Sequence, residues 1–374
     1  MPCSVHLTTV HPPFDVRIFY KEARTLVNAR FDVTLISQHD KYETVDGIKI
    51  IALPMVKNRI HRMLSLPLKA FIVAWKQKAH IYHLHDPELI PVGVLLKLIK
   101  GKKVIYDVHE DYGKQTLSKP YIPKIAREGV AILIRIVEYL SSHIFDAVIT
   151  ATDDILKNFS HHDRAISIKN FPMKSSFAIG RGDGRDDDKD VFNLIYVGVL
   201  AQIRGITQIV KALEFIDSNY QLKLTLCGRF FPSQYEHEVR ALAGFKKVEY
   251  VGWIEPQGIP ELLEKHNAGM VCLHPIVNYV TSLPLKLFEY MGAGLPIIAS
   301  RFPLWVELIE NNNCGVCVDP LDPMEIAKAI RYLMDHPELR RKMGENGRRM
   351  VVEKYNWESE SKKLLDLYFK LLNE

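Results

Sequence analysis

The stretch Thr281-Ser-Leu-Pro-Leu-Lys-Leu-Phe-Glu-Tyr-Met-Gly-Ala-Gly-Leu-Pro-Ile-Ile-Ala-Ser300 reads as a helix that opens onto an anion and then feeds a buried strand. Ser282 is placed to cap the helix and Pro284 suits its first turn. The free backbone N–H groups near Ser282–Leu285 would then point at a negatively charged ligand. Lys286 and Glu289 stand three residues apart and share one face. Leu287, Tyr290, Met291 and Gly294 fall at i, i+3, i+4 and i+7, a stripe that packs away from that face. A cation and a carboxylate beside a helix N-terminus suit a ligand carrying both phosphate and sugar hydroxyls, such as a nucleotide sugar. From physics alone, an ordinary amphipathic helix with a surface Lys–Glu pair would look the same.

Outward from this stretch, short apolar strands alternate with helical patterns, the signature of parallel sheets covered by helices. In the first half, strands are predicted at Ser4–Thr9, Asp32–Ser37, Lys49–Leu53, Ile81–His85, Lys103–Val108, Ala147–Thr150 and Ala165–Lys169. The second half restarts at Phe192–Val197 and continues through Lys223–Cys227, Val248–Val251, Met270–Leu273, Pro296–Ala299 and Val316–Val318. With 374 residues the chain exceeds one compact core. The expectation is an α/β chain of two doubly wound domains, 1–172 and 191–355, joined by the polar, glycine-rich linker 173–190, with a last amphipathic helix in 356–374. The linker holds Asp186 and Asp188 as an Asp-x-Asp, but a catalytic metal motif needs a rigid strand end, so no essential metal is expected there.

The pattern Pro-x-Lys-x-x-Glu-Tyr-Met-x-x-Gly-x-Pro-Ile-Ile-Ala-Ser resembles the donor-binding signature of glycosyltransferase family 4, retaining enzymes of the GT-B fold, and the bacterial surface-polysaccharide members in particular. That resemblance implies two facing Rossmann-like domains with a cleft between them, and a C-terminal helix that crosses back to the first domain. It implies a first domain that binds acceptor and a second that binds a UDP- or GDP-linked sugar without a cofactor. The counterpart of Glu289 binds the ribose hydroxyls.

The other polar residues fall at predicted strand ends, where ligands of doubly wound sheets bind. Gly198 lets a ligand approach the backbone, and Arg204, just before Gly205, is placed to hold a diphosphate. Gly228, Trp253 and the 274–275 strand end are where the resemblance gathers base and donor-sugar contacts. In the first half, His83 and His85 alternate along one strand with Asp86 at its tip. No third metal ligand is legible at a fixed spacing, so a packed role is expected for His83. His109 matches the histidine that the family points at the donor sugar. The segment carrying His11, Asp15 and Arg17 resembles the acceptor loop, with His85 and Asp86 beside it. By the same resemblance, His109, Arg204 and Lys286 are the catalytic candidates, and Ser282, Leu285, Lys286 and Glu289 the donor-binding ones.

Composition sets limits. Hydrophobic residues make up 47% and charged residues 25%, as in soluble globular proteins. The five scattered cysteines suggest reduced thiols and a cytoplasmic setting; the Cys314-Gly-Val-Cys317 pair lacks the partners of a zinc or redox motif. The first residues read as a strand rather than a secretory signal, and no apolar run is long enough to span a membrane. Residues 1–172 hold 24 Lys/Arg against 17 Asp/Glu, while residues 173–374 hold 25 against 27, so the excess base is all in the first half. Much of it lies in 57–78, where Leu66, Phe71, Ile72 and Trp75 intersperse with Lys69, Lys76 and Lys78. This is a helix suited either to the inner face of an anionic plasma membrane or to solvent. No nucleic-acid motif accompanies the basic residues.

The expected activity is transfer of a hexosyl or N-acetylhexosaminyl group to a glycan or lipid-linked glycan in lipopolysaccharide, capsule or exopolysaccharide assembly. Two positions depart from the family pattern. Thr281 stands where a glutamate is usual, and Val199 where an arginine is usual. They motivate a catalytically silent partner subunit as one alternative; a nucleotide-sugar 2-epimerase of the same fold is another.

Overall fold

The computed structural model describes the whole chain except Ser118, Pro120, Tyr121 and 178–190. The Asp186 and Asp188 pair and most of the expected linker lie outside the described residues. The chain divides into two compact units: Met1–Asn170 together with Trp357–Glu374, and Phe171–Asn356.

The first unit is built on eight strands: β1 Cys3–Leu7, β2 Asp32–Gln38, β3 Glu43–Val45, β4 Ile48–Leu53, β5 Ile81–Leu84, β6 Lys103–Val108, β7 Ala147–Thr150 and β8 Ala165–Ser167. They lie in the order β3-β4-β2-β1-β5-β6-β7-β8, all parallel except β3 against β4. The parallel strands read as continuous apolar runs because helices cover both faces, as Val33–Ser37 of β2 shows by being buried at every position. The short β3 is absent from the sequence-based expectation. Its signal was the Asp46-Gly47 dipeptide, whose two positive φ values of 52° and 78° make the tight hairpin turn into β4.

The second unit holds β9 Phe192–Val197, β10 Leu222–Cys227, β11 Val248–Gly252, β12 Ala268–Val271, β13 Ile297–Ser300 and β14 Gly315–Val318. Their order is β11-β10-β9-β12-β13-β14, all parallel. Along β9, Leu194 and Tyr196 enter one core and Ile195 the other, so this strand is buried on both faces.

Each strand order reverses at one place, between β1 and β5 in the first unit and between β9 and β12 in the second. Loops leaving the strand ends there diverge to opposite faces and open a crevice. The final helix, Trp357–Leu372, belongs to the first unit. Its Trp357 Nε1 donates to Thr25 Oγ1 at 3.0 Å, and Glu360 accepts from the Lys169 backbone at 2.9 Å. Tyr368 is fully buried, 2.8 Å from His83 Nδ1.

Candidate active site

In the second unit, the crevice at the β9 and β12 ends is lined by glycine because two backbones touch there. Gly198 and Gly228 have φ of 126° and 145°, and a Cβ on Gly228 would lie 1.9 Å from the Gly198 carbonyl oxygen. A Cβ on Gly198 would lie 3.1 Å from Lys286 Nζ, so the lysine reaches over this loop. The ammonium stands 3.8 Å from the centre of the Tyr196 ring, and the Arg204 guanidinium lies 4.7 Å from the Tyr279 ring. The two tyrosines act as platforms for the two cations.

The helix that carries Lys286 runs Leu285–Gly292. Leu287, Tyr290 and Met291 are buried as its spacing requires, and Tyr290 OH accepts from the Val197 backbone at 2.8 Å, fixing the helix to the end of β9. The expected cap is different in the structure. Ser282 Oγ donates to the Tyr279 carbonyl at 3.0 Å, and Pro284, in extended conformation, precedes the helix without a side-chain cap. Ser282 therefore closes the preceding turn rather than capping the helix. No intrahelical acceptor lies before Leu285 and Lys286, whose N–H groups belong to the first turn.

Desolvation, and then the charge of Arg204, pull the Lys286 ammonium well below the ordinary lysine pKa, with Glu289 acting the other way. Two cations crowded at a helix start are a site short of negative charge. Gly228 and Trp253 complete the rim. Trp253 is more than half exposed, with Arg229 5.4 Å from its ring.

In the first unit, the β1 and β5 ends bring His11, Asp15, Asp86 and His109 together. His11 sits 3.4 Å from Asp15 and 3.6 Å from Asp86, and its ring centre is 4.8 Å from that of His109. Burial alone would lower the His11 pKa, but the hydrogen bond to Asp15 and the charges of Asp86, Asp15 and Asp107 raise it. Asp15 also accepts from the backbones of Arg17 and Ile18, starting the next helical turn.

Three of the residues expected to bind acceptor are buried. His85 is fully buried among imidazoles. Asp86 spends one oxygen on Thr8 Oγ1 at 2.8 Å and the Thr9 backbone at 2.7 Å, so it pins the loop after β1. Arg17 is buried because it forms a two-pronged pair with Asp107, at 3.0 and 2.9 Å, and donates to the Ile168 carbonyl. These residues hold the loop that carries His11 and Asp15 from beneath.

Asp107 is the residue the sequence reading passed over. Burial would raise its carboxyl pKa, but Arg17 and then His109 outweigh that and hold it well below the usual range. Its Oδ2 lies 3.0 Å from His109 Nε2. A carboxylate only accepts, so that nitrogen carries the proton, and Nδ1 is the other ring nitrogen, able to accept from a hydroxyl. The spacing Asp107-Val-His109 at the end of β6 was the available signal, since alternate residues of an extended chain share a face.

Two groups offer metal-like donors among the described residues: His6, Glu22, His83 and His85, and, beside them, His85, Asp107 and His109. His6, which pairs with His83 across β1 and β5, and Glu22 are the third and fourth candidate donors, which no fixed spacing in the sequence reveals. Cys314 and Cys317 are buried free thiols, pushed up to about 12 chiefly by burial, which makes them poor nucleophiles.

Residues 184–350 match the family model described as glycosyl transferases group 1. An uncharacterized glycosyltransferase of Methanocaldococcus jannaschii is 22% identical over 354 residues, covering 88% of this chain and 86% of the relative. Sucrose-phosphate synthase from Thermosynechococcus elongatus superposes with a TM-score of 0.79 at 18% identity over 100% of both chains. The fold is that of GT-B glycosyltransferases. HepE from Anabaena, solved in complex with UDP-glucose, superposes with a TM-score of 0.73 at 14% identity, over 98% of this chain and 99% of that one. The family match covers most of the second unit, which carries Gly198, Arg204, Lys286 and Glu289.

Proposed function

We propose that this GT-B chain is a retaining glycosyltransferase of family 4. It would move a hexosyl or N-acetylhexosaminyl group from a UDP- or GDP-sugar to a glycan or lipid-linked glycan in surface-polysaccharide assembly. The observation that carries the proposal is the pairing of Arg204 and Lys286 above Tyr279 and Tyr196, beside the Gly198 loop and the start of the Leu285–Gly292 helix. A diphosphate is the ligand that supplies what this site lacks. When the bond from the anomeric carbon to the diphosphate breaks, negative charge grows on the leaving phosphate. Arg204, Lys286 and the first-turn N–H groups would stabilise it without reorganising. The acceptor oxygen bonds to the anomeric carbon on the face the phosphate leaves, and the phosphate takes the acceptor's proton. His109, held by Asp107, would accept a hydrogen bond from a sugar hydroxyl, and Glu289 would take the ribose hydroxyls.

Donor binding tests this reading. UDP or GDP at about 100 times its dissociation constant should stabilise the chain by about 2.7 kcal/mol, read as a thermal shift, and Arg204→Ala should abolish the shift at the same concentration. No shift with any nucleoside diphosphate, or an equal shift in the variant, would count against the site. Epimerised donor formed without acceptor would favour the 2-epimerase.

The proposal extends to the membrane. No described helix is long and apolar enough to cross one. The Arg59–Lys76 helix exposes Ile60, Leu64, Leu68 and Ile72, and the Lys124–Ser142 helix exposes Ile125, Leu133, Ile136 and Leu140. Both pack on the Ile90–Leu98 helix of the same unit. Leu64 and Leu133 are 76% and 59% exposed, amid Lys57, Arg62, Lys69 and Arg135. Exposed apolar stripes flanked by base fit an anionic bilayer surface. Cosedimentation with vesicles containing anionic lipid should be strong for the wild type and fall about tenfold or more in Leu64→Glu/Leu133→Glu; equal sedimentation of both would refute surface docking.

A further inference from the structure

Beneath the acceptor-side loop lies a cluster that sugar transfer does not use. His6 of β1 stands opposite His83 of β5, with ring centres 4.7 Å apart, and His85 stacks on both at 5.1 and 4.5 Å. Glu22 projects into the same place from the Ile18–Ala23 turn. All four side chains are fully buried, and their donor atoms lie within 4.8 Å of one another.

The cluster's polar atoms are incompletely paired. Glu22 Oε1 is met by the charged Arg17 Nε at 2.9 Å, whereas Glu22 Oε2 and His83 Nε2 are buried with no hydrogen-bond partner among the described residues. Such orphaned groups cost stability unless a water or an ion meets them. His83 keeps its other nitrogen on Tyr368 OH at 2.8 Å, an outer partner of the kind that orients a metal-binding imidazole. His6 Nδ1 and His85 Nε2 are 2.9 Å apart, a contact that a shared proton satisfies and a bound cation would replace. Asp107, 3.9 Å from His83 Nε2 and 3.4 Å from His85 Nδ1, supplies negative charge against the nearby Arg17.

We propose that His6, Glu22, His83 and His85 form a buried divalent-metal site of zinc type. Three imidazoles and one carboxylate are a nitrogen-rich donor set of the kind zinc takes in four-coordinate sites. With no position open to solvent, the ion would be structural. It would tie β1, β5 and the Ile18–Ala23 turn together and, through His83 and Tyr368, anchor the final helix to the first unit.

The test uses the full-length chain without a histidine tag, purified in the absence of chelator. Elemental analysis should find about one zinc per chain, and stripping with dipicolinate should lower the melting temperature, with added Zn2+ restoring it. Co2+ added to the stripped chain should give the intense visible absorption of a four-coordinate site. Glu22→Gln and His83→Gln should each reduce metal content several-fold. If either variant fails to fold, the stripping and replenishment of the wild type decides. A wild-type chain that carries no metal and whose melting temperature responds to neither chelator nor Zn2+ would overturn the proposal. So would undiminished metal content in both folded variants.

Discussion

Asp107→Asn should lower the free energy of unfolding by about 3–5 kcal/mol, measured by urea denaturation, because it removes one partner of a buried ion pair and leaves the other. Arg17 is 4% exposed and directs two of its hydrogen bonds at Asp107. A buried guanidinium cannot shed its proton to escape the cost. Glu22, also beside Arg17, can take up part of the charge, so the loss should sit toward the lower end of that range. Asp107→Asn with Glu22→Gln should then cost more than the two single changes added together. The same substitution should cut turnover by more than its effect on donor affinity, since His109 loses the carboxylate that fixes which of its nitrogens carries the proton. A stability loss below about 1 kcal/mol would mean that the pair is replaced by water and that the buried network is softer than its geometry.

Most of the fold was legible because parallel sheets write themselves plainly. A strand buried on both faces needs a mainly apolar run, and the expected bounds of Phe192–Val197, Lys103–Val108 and Ala147–Thr150 are those observed. The antiparallel β3 was missed because Glu43–Val45 is short, with Val45 its single apolar residue, although the Asp46-Gly47 turn announced it. The packing around Lys286 was legible where it depends on one helix. Lys286 and the buried Leu287, Tyr290 and Met291 follow from spacing alone, whereas the Tyr196 and Tyr279 platforms come from distant segments and carry no local pattern. In the first unit the sequence showed which residues gather at strand ends, but not which of them face inward. Arg17, His85 and Asp86 look as available as His11 in the sequence. Only the pairing of Arg17 with Asp107, 90 positions away, and of Asp86 with the loop after β1 shows that they are already engaged.

Lys286→Met should separate function from stability. Methionine keeps most of the length of the side chain and leaves a polarizable group beside the Tyr196 ring, while removing a charge that the folded chain desolvates beside Arg204. The folded-state pKa of this lysine is depressed, so between that value and the ordinary lysine pKa the unfolded chain binds more protons than the native one. The lysine's contribution to stability therefore rises with pH in that window. The variant should lack this rise and should melt at or above the wild-type temperature near neutral pH. Turnover should move the other way. Removing one preorganised donor from a developing anion costs about 10²–10³ in rate, and the loss should fall on kcat because the charge it stabilises is largest in the transition state. Nucleoside diphosphate, which carries full charge in the ground state, should also bind less tightly. The opposite pattern, a less stable variant with unaltered kcat, would make Lys286 a packing residue and leave the diphosphate to Arg204 and the helix N–H groups alone.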